Sequence, residues 1–134
     1  MLVLKINFIY IAYISMLKKI NKPWGYYQIL DSQNGYQLKK LFVNPKSKLS
    51  LQSHKHRSEH WVVLYGQPTV TIDKNVYELS VNESIYIPMA SKHRLENNTN
   101  KEVVIGETQI GDYLGEDDII RYEDIYKREI THDN

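Results

Sequence analysis

The sequence contains no cysteine, and this absence excludes several kinds of chemistry. Disulfide bonds, cysteine-ligated zinc sites and thiol catalysis all require this residue. A metal ion would therefore need histidine, carboxylate or amide ligands. A chain without cysteine is also compatible with the reducing cytoplasm, which is where we expect this protein.

The chain has no large excess of charge of either sign. Its 17 Lys and Arg residues nearly balance its 16 Asp and Glu residues, and the formal net charge is +1. No general basic surface argues for nucleic acid, and no acidic excess argues for a disordered tail. Any function that depends on charge must be local, and we expect no nucleic-acid partner.

Long hydrophobic runs are missing as well. Residues 2–16 are rich in Ile, Tyr and Leu, but they are too few to span a bilayer, which takes about 20 mostly apolar residues. They lack a small-residue cleavage site, and Lys18 and Lys19 follow the apolar run, whereas a signal peptide carries its positive charge first. We expect no signal peptide and no membrane partner. Residues 1–16 are predicted to be an extra strand, which could pair with another subunit, or an extension upstream of an ordinary start at Met16.

Short β-rich runs separated by turn residues make up most of the remaining sequence. The 134 residues suffice for one domain with its own core. Strands are predicted at residues 26–30, 36–43, 50–56, 60–65, 69–72, 76–79, 84–87, 93–97 and 103–109. So many short strands in one small domain predict an antiparallel all-β fold, closed as a barrel or built from two sheets.

The composition changes from Gly111 onward, where acidic and apolar residues are interleaved. This pattern predicts a turn followed by a short helix or an irregular arm that packs on the barrel. The predicted organisation is therefore an N-terminal extension at residues 1–16, a barrel at residues 17–110 and a C-terminal arm at residues 111–134.

A histidine-rich stretch carries most of the chemical information. Side chains alternate between the faces of a strand, so Gln52, His54 and His56 are predicted to point the same way. Glu59 can enter from the adjacent strand and His93 from a later one. Two imidazole nitrogens and two oxygens around one point suit a divalent metal ion, with zinc first and Mn, Fe, Co or Ni as alternatives. The competing interpretation is a set of surface histidines on a polar strand.

Two motifs in this region together resemble those of the cupin superfamily. In its first motif the ligand pair falls on Gln52 and His54, the glutamate on Glu59 and the closing glycine on Gly66. The second motif, a proline, a histidine and an asparagine, corresponds to Pro88, His93 and Asn97. The resemblance implies a jelly-roll barrel, the double-stranded β-helix, with Gln52, His54, Glu59 and His93 as the ligands of one metal ion.

The chain departs from the cupin pattern at three turn glycines, which are replaced by Lys46, Asn82 and Ala90. Asn tolerates a left-handed backbone moderately well, and Ala and Lys do so poorly. These replacements concern the geometry of the loops more than the metal site.

Glutamine at the first ligand position makes the resemblance more specific, because the set Gln, His, Glu, His is similar to that of phosphomannose isomerases. Several blocks resemble, in order, the C-terminal domain of type II mannose-6-phosphate isomerases: Lys22-Pro23-Trp24-Gly25-Tyr26, Leu49-Ser50-Leu51-Gln52, Glu59-His60-Trp61-Val62-Val63, Tyr86-Ile87-Pro88, His93-Arg94-Leu95-Glu96-Asn97 and Tyr113-Leu114-Gly115-Glu116-Asp117-Asp118-Ile119. In larger members of that family a nucleotidyltransferase precedes this domain. We expect no guanylyltransferase activity from this chain, in which we find no Gly-rich phosphate loop.

The resemblance implies a metal-dependent isomerase that interconverts mannose 6-phosphate and fructose 6-phosphate through a cis-enediolate. His56 is the first candidate for proton transfer, because imidazole titrates near neutral pH, and Lys39 could bind substrate or assist the proton shuttle. The alternatives are a solvent-facing histidine and a lysine whose stem covers the barrel rim. The resemblance also implies a homodimer.

A phosphate group requires fixed cations, and Arg57, Arg94 and Lys92 lie close in sequence to the site strands. Arg94 has the strand parity opposite to His93, which counts against an inward role unless the strand bulges there. Tyr86 could reach a sugar hydroxyl. Two other functions stay open at this point: a non-catalytic sugar or sugar-nucleotide binding cupin that serves as an accessory subunit, and another metal cupin enzyme such as an oxygenase.

Overall fold

The computed structural model describes residues 17–128, which form twelve strands and contain no helix. The strands are β1 (Ile20–Lys22), β2 (Gly25–Gln33), β3 (Tyr36–Val43), β4 (Ser47–Lys48), β5 (Leu51–Ser53), β6 (Arg57–Tyr65), β7 (Thr69–Ile72), β8 (Asn75–Glu78), β9 (Ser84–Ile87), β10 (His93–Asn97), β11 (Val103–Gly111) and β12 (Ile120–Glu123). The predicted N-terminal extension and the last six residues, 129–134, lie outside the described residues. Among residues 17–128 nothing has the helical length and apolar character needed to cross a membrane.

The strands form two antiparallel sheets whose inner faces pack against each other. The first sheet has the order β1-β2-β3-β11-β6-β9, and the second has the order β12-β5-β10-β7-β8, with β4 paired to β10. Side chains from both sheets build one hydrophobic core, which includes Trp61 and Ile105 from the first sheet and Val70 and Leu95 from the second. The predicted all-β, two-sheet fold is confirmed.

The inner face of the first sheet is divided into an apolar half and a polar half. Each of its three central strands places two apolar and two polar side chains inward: Leu41, Val43, Gln37 and Lys39 on β3, Trp61, Val63, Arg57 and Glu59 on β6, and Val103, Ile105, Glu107 and Gln109 on β11. The register places Lys39 opposite Glu107 and Gln109 opposite Glu59. The polar halves therefore meet at one end of the barrel, above the hydrocarbon core.

Residues at the motif positions shape the turns of the barrel. Lys46, Asn82 and Ala90 have φ angles of 56°, 76° and 67°, so all three replaced glycines stand at left-handed backbone positions. The motif asparagine, Asn97, is fully buried, and its amide donates to the backbone carbonyl groups of Val43, Asn44 and Lys101. It satisfies backbone groups of two loops that would otherwise lack partners.

The C-terminal arm was predicted as a helix or an irregular arm, and its described part is a strand between turns. In β12, Ile120 pairs with Ser53 and Arg121 pairs with Gln52. The arm therefore extends the second sheet beside β5, the strand that carries the first predicted ligand. This pairing brings residues of the arm to the polar end of the barrel.

Candidate metal centre and active-site pocket

A pocket opens at the polar end of the barrel, between the two sheets and the C-terminal arm. Its polar and charged lining comes from every one of these parts: Lys22, Lys39, Ser50, Gln52, His54, Arg57, Glu59, Glu107, Gln109, Glu116, Arg121 and Arg128. The apolar part of the wall consists of Trp24, Tyr27, Leu41, Leu49, Trp61 and Ile119. The pocket is thus suited to a small polar ligand that carries negative charge.

Three buried side chains converge on one point beside this pocket. His54 follows β5, Glu59 lies on β6 and His93 begins β10, and one ligand atom from each lies within 4.8 Å of the others. The distance from His54 Nε2 to Glu59 Oε1 is 3.2 Å, and the distance from His93 Nε2 to Glu59 Oε2 is 3.9 Å. Two imidazoles and a carboxylate at these separations form a possible divalent-metal site.

Hydrogen bonds to backbone carbonyl groups orient both imidazoles. His54 Nδ1 lies 2.6 Å from the carbonyl oxygen of Asp118, and His93 Nδ1 lies 2.9 Å from that of Ser91. In this arrangement Nδ1 of each ring donates its hydrogen, which leaves each Nε2 facing the cluster, as in histidines that ligate metals. His93 Nε2 is buried and has no hydrogen-bond partner among the described residues. An unpaired buried nitrogen is costly unless a ligand such as a metal ion satisfies it.

The protonation states agree with a metal-ligating role. Burial lowers the pKa of His93, which keeps this imidazole neutral at neutral pH. Burial alone would raise the pKa of Glu59, but its hydrogen bond with His54 and the neighbouring positive charges, Arg57 among them, hold the pKa well below its usual range. Glu59 also accepts from Arg57 Nε at 3.0 Å and from Trp61 Nε1 at 2.9 Å. The carboxylate is therefore ionised and held in position.

Gln52, the fourth predicted ligand, lies in the lining of the same pocket and pairs with His93 across β5 and β10. Its amide oxygen accepts a hydrogen bond from Ser50 Oγ at 3.2 Å. Its position next to His93 is compatible with the predicted ligand set, which stays a prediction for this residue.

Two further predicted site residues also lie in the pocket. Arg57 is buried, and its Nη2 lies 3.3 Å from His54 Nε2, while its Nη1 has no hydrogen-bond partner among the described residues. Lys39 is 4% exposed, with its ammonium group 4.5 Å from the centre of the Tyr27 ring. It forms an ion pair with Glu116 of the arm. The structure therefore places both cations where they could meet a ligand.

The structure does not bring His56 into the pocket. The predicted alternation from Gln52 to His56 is wrong, because β5 ends at Ser53 and the chain then leaves the sheet. The Asp118 carboxylate accepts from the backbone N–H groups of Lys55 and His56, both at 2.9 Å. His56 is consequently exposed, with Nδ1 3.6 Å from Asp112 Oδ1.

Arg94, Lys92 and Tyr86 also lie outside the pocket lining. Arg94 Nη2 donates to Glu123 Oε2 at 3.0 Å, and Lys92 Nζ lies 4.2 Å from the centre of the Tyr122 ring. Tyr86 is 51% exposed, and its ring centroid lies 4.7 Å from that of His60. Their predicted contacts with substrate stay predictions that this geometry does not support.

Sequence reasoning missed several pocket residues. Glu107 and Gln109 face inward on β11, and their regular alternation with Ile105 and Val103 was a usable signal, since charged residues seldom occupy the inner face of a strand. Lys22 and Arg128 enter the lining from the two ends of the described chain. No local pattern could have assigned them, because their positions depend on how β1 and the arm dock.

The sequence of this chain is similar to that of a known protein family. Residues 12–124 match the model of the family described as Mannose-6-phosphate isomerase C-terminal. The alginate biosynthesis protein AlgA of Pseudomonas putida is 49% identical over 84% of this chain. The xanthan biosynthesis protein XanB of Xanthomonas campestris is 45% identical over 83%, and the mannose-1-phosphate guanylyltransferase ManC of Salmonella typhimurium is 45% identical over 84%. The chain spans only 23–24% of the length of these relatives.

Solved structures with the same fold are much more distant in sequence. An RmlC-like cupin from Shewanella frigidimarina superposes with a TM-score of 0.69 at 18% identity, over 77% of this chain and 89% of that one. An oxalate decarboxylase from Lactobacillus farciminis gives a TM-score of 0.71 at 15% identity, over 81% of this chain and 34% of that one. At such identities the likeness concerns the fold alone, and it confirms the cupin architecture.

Proposed function

Because the chain belongs to the mannose-6-phosphate isomerase C-terminal family, we propose that it is a metal-dependent isomerase. The reaction would interconvert mannose 6-phosphate and fructose 6-phosphate. The observation that carries this proposal is the buried cluster of His54, Glu59 and His93 at the edge of a cation-lined pocket. A non-catalytic binding protein would have less need for two oriented imidazoles and an ionised carboxylate at one point.

Zinc fits the donor set best, since two imidazole nitrogens and a carboxylate are typical zinc ligands, and Gln52 could supply a fourth oxygen. A bound divalent ion would polarise the C1 carbonyl and C2 hydroxyl oxygens of the open-chain sugar and stabilise the enediolate charge. Neighbouring groups hold the metal-ligating side chains in position. Backbone carbonyl groups hold both imidazoles, and Arg57 and Trp61 hold Glu59.

Cations that line the pocket supply groups that could bind the phosphate of the proposed substrate. Lys22, Arg121 and Arg128 reach the lining from β1, β12 and the end of the arm, so their charges surround the pocket from separate elements. We propose that they bind the phosphate group, in place of the predicted Arg94 and Lys92. Within the pocket, Arg57 Nη1 can donate to a sugar oxygen, because it is buried without another partner among the described residues.

The direct test is a coupled assay with mannose 6-phosphate on chelator-treated protein, before and after addition of zinc, manganese or cobalt. We expect activity to return with at least one metal. Mannose without its phosphate should react far more slowly, because Lys22, Arg121 and Arg128 then have no anion to bind. Absence of turnover with every metal, together with tight binding of a sugar nucleotide, would contradict the isomerase proposal and favour an accessory role.

A pair of variants tests the ligand assignment. His54→Ala should lose bound metal and at least 100-fold in kcat/KM, because it removes one ligand of the cluster. His60→Ala is the matched control, since this histidine is exposed on the outer face of β6. It should keep both properties. Full metal occupancy in His54→Ala, measured by elemental analysis, would show that His54 is not a ligand.

A further inference from the structure

One buried carboxyl group in the pocket has no part in the candidate metal cluster. Glu107 is 6% exposed, lies on β11 and lines the pocket. The ligand atoms that converge on one point come from His54, Glu59 and His93, so Glu107 remains available for another role. A buried acidic side chain is rare unless it is paired or functional.

The hydrogen bonds of Glu107 leave one of its oxygens open. Gln109 Nε2 donates to Oε1 at 2.6 Å, and the Gln109 amide is itself oriented by Gln37, whose Nε2 donates to Gln109 Oε1 at 3.3 Å. Within residues 17–128 this bond to Oε1 is the only side-chain hydrogen bond of Glu107, and none involves Oε2. Lys39 stands opposite in the β-sheet register, but its ammonium group is paired with Glu116.

The surroundings of Glu107 favour a group that can both take up and release a proton near neutral pH. Burial, followed by the negative charge of Glu59, raises the pKa of Glu107 to about 8, although Lys39, Arg57 and the Gln109 hydrogen bond act in the opposite direction. A general base or acid is most effective when its pKa lies near the working pH. A bound cation at the cluster would lower this value from the metal-free one.

We propose that Glu107 is the catalytic acid–base that carries the proton between C2 and C1 of the bound sugar phosphate. This inference rests on the proposed isomerase function and names a residue of the same site. Gln109 fixes Oε1 from one side, so Oε2 is the oxygen that meets the substrate.

The proton transfer balances without any other reactant. The carboxylate takes the proton from C2, the electron pair of the C2–H bond forms the C1=C2 double bond, and the carbonyl pair moves onto O1. The protonated carboxyl group then gives the proton to C1. The enediolate pair re-forms a carbonyl group at C2, and the hydrogen of the C2 hydroxyl passes to O1. The product is an isomer of the substrate, so no oxidant or reductant is needed.

Three other titratable side chains, Glu59, Lys39 and His56, are less suited to this step. Glu59 is held ionised in the metal cluster, and Lys39 is tied to Glu116. His56, the base predicted from the sequence, is about half exposed and faces Asp112 outside the pocket lining. Glu107 alone among these groups combines burial in the pocket with freedom from an ion pair in the described part of the chain.

Glu107→Gln tests the proposal, because it removes the ionisable group while the side-chain shape stays nearly unchanged. We expect kcat for mannose 6-phosphate to fall at least 100-fold, while the metal content stays equal to that of the unmodified protein. Glu102→Gln is the control, because it makes the same chemical change at an exposed position just before β11. The control should retain full activity.

Two further measurements separate proton transfer from binding and folding. In deuterated water the unmodified protein should catalyse exchange of the substrate C2 hydrogen with solvent, and Glu107→Gln should not. Both proteins should bind mannitol 6-phosphate, which cannot isomerise, with affinities within about threefold by calorimetry. A large loss of this affinity in Glu107→Gln would assign Glu107 to binding and overturn its role as the base.

The outcomes distinguish this inference from the proposed function. If the unmodified protein isomerises mannose 6-phosphate and Glu107→Gln keeps its kcat, the isomerase stands and the role of Glu107 is refuted. A loss of kcat in His56→Asn but not in Glu107→Gln would return the base to His56. If the unmodified protein shows no turnover with any metal, the isomerase function itself fails, and the proposed role of Glu107 fails with it.

Discussion

At the scale of single residues, the pocket holds two buried carboxyl groups in opposite states. Glu59 accepts hydrogen bonds from a guanidinium group and an indole N–H, and its interactions with His54, His93 and Arg57 lower its pKa despite its burial. Glu107 receives one hydrogen bond from an amide, and burial raises its pKa to about 8. Because their hydrogen-bond partners differ, the two carboxyl groups can have different roles. Glu59 can ligate a cation, and Glu107 can exchange a proton.

The raised pKa of Glu107 predicts a pH-dependent stability in chelator-treated protein. Between the ordinary value of 4.5 and about 8, the folded state binds a proton that the unfolded state has lost. The free energy of unfolding should therefore fall as pH rises through this range. Glu107→Gln removes this contribution, so the variant should be more stable than the unmodified protein at pH 9 by on the order of 2–4 kcal/mol. At pH 5 the two should differ little.

Urea denaturation at both pH values measures this difference. Glu102→Gln, which changes an exposed carboxylate, should show no comparable gain at pH 9. An equal stability of Glu107→Gln and the unmodified protein at pH 9 would mean that the buried carboxyl group is already compensated in the folded state.

At the scale of structural elements, the C-terminal arm organises the site as well as covering it. Asp118 accepts from two backbone N–H groups after β5 through its carboxylate, and its carbonyl oxygen receives the Nδ1 hydrogen of His54. The same segment continues into β12, which pairs with β5. The orientation of one candidate ligand thus depends on how the arm docks.

Asp118→Ala should weaken metal binding although it changes no ligand. Without the carboxylate, the arm loses two hydrogen bonds to the segment that carries His54, so the imidazole is held less firmly. We expect zinc affinity to fall about 10-fold or more, measured by competition with a chromophoric chelator. Asp117→Ala is the control, because Asp117 is exposed and accepts a hydrogen bond from Tyr113. An equal affinity in both variants would separate the arm from the metal site.

At the scale of the whole molecule, the same barrel contains the hydrophobic core at one end and the candidate site at the other. The strands β3, β6 and β11 bury apolar side chains at one end and polar side chains at the other. The apolar end supplies most of the hydrophobic stabilisation, at roughly 25 cal/mol for each Å² buried. The polar end contributes less, and in the described part of the chain it leaves groups such as His93 Nε2 without a hydrogen-bond partner. A ligand at the polar end should therefore stabilise the entire fold.

This linkage predicts a thermal shift. Zinc at 100 times its dissociation constant should raise the free energy of unfolding by about 2.7 kcal/mol, because it binds the folded state alone. The midpoint of thermal unfolding should rise accordingly in the unmodified protein and in His60→Ala. His54→Ala should show no such rise while retaining a cooperative transition. A shift of equal size in His54→Ala would place the metal elsewhere.

Much of the fold was predictable from local patterns. The strands at 36–43, 69–72, 84–87 and 93–97 have the predicted bounds, because their alternation and flanking turns are strong local signals. The stretch 50–56 was predicted as one strand, but the strand ends at Ser53. The Asp118 carboxylate accepts hydrogen bonds from the next backbone N–H groups and draws them out of the sheet. A contact between residues more than 60 positions apart leaves no mark on the alternation of the stretch itself.

Residue types and their spacing were sufficient to predict the all-β class, the family resemblance and the grouping of His54, Glu59 and His93. Gln52, Arg57 and Lys39 were also predicted and line the pocket, but only the tertiary structure showed that Glu107 belongs there and His56 does not. Glu107 lies in the pocket because β11 lies between β3 and β6. His56 lies outside the pocket because the Asp118 carboxylate of the arm binds its backbone N–H group. Sheet order and arm docking arise from packing between distant segments, so the composition of the pocket could not be derived from neighbouring residues.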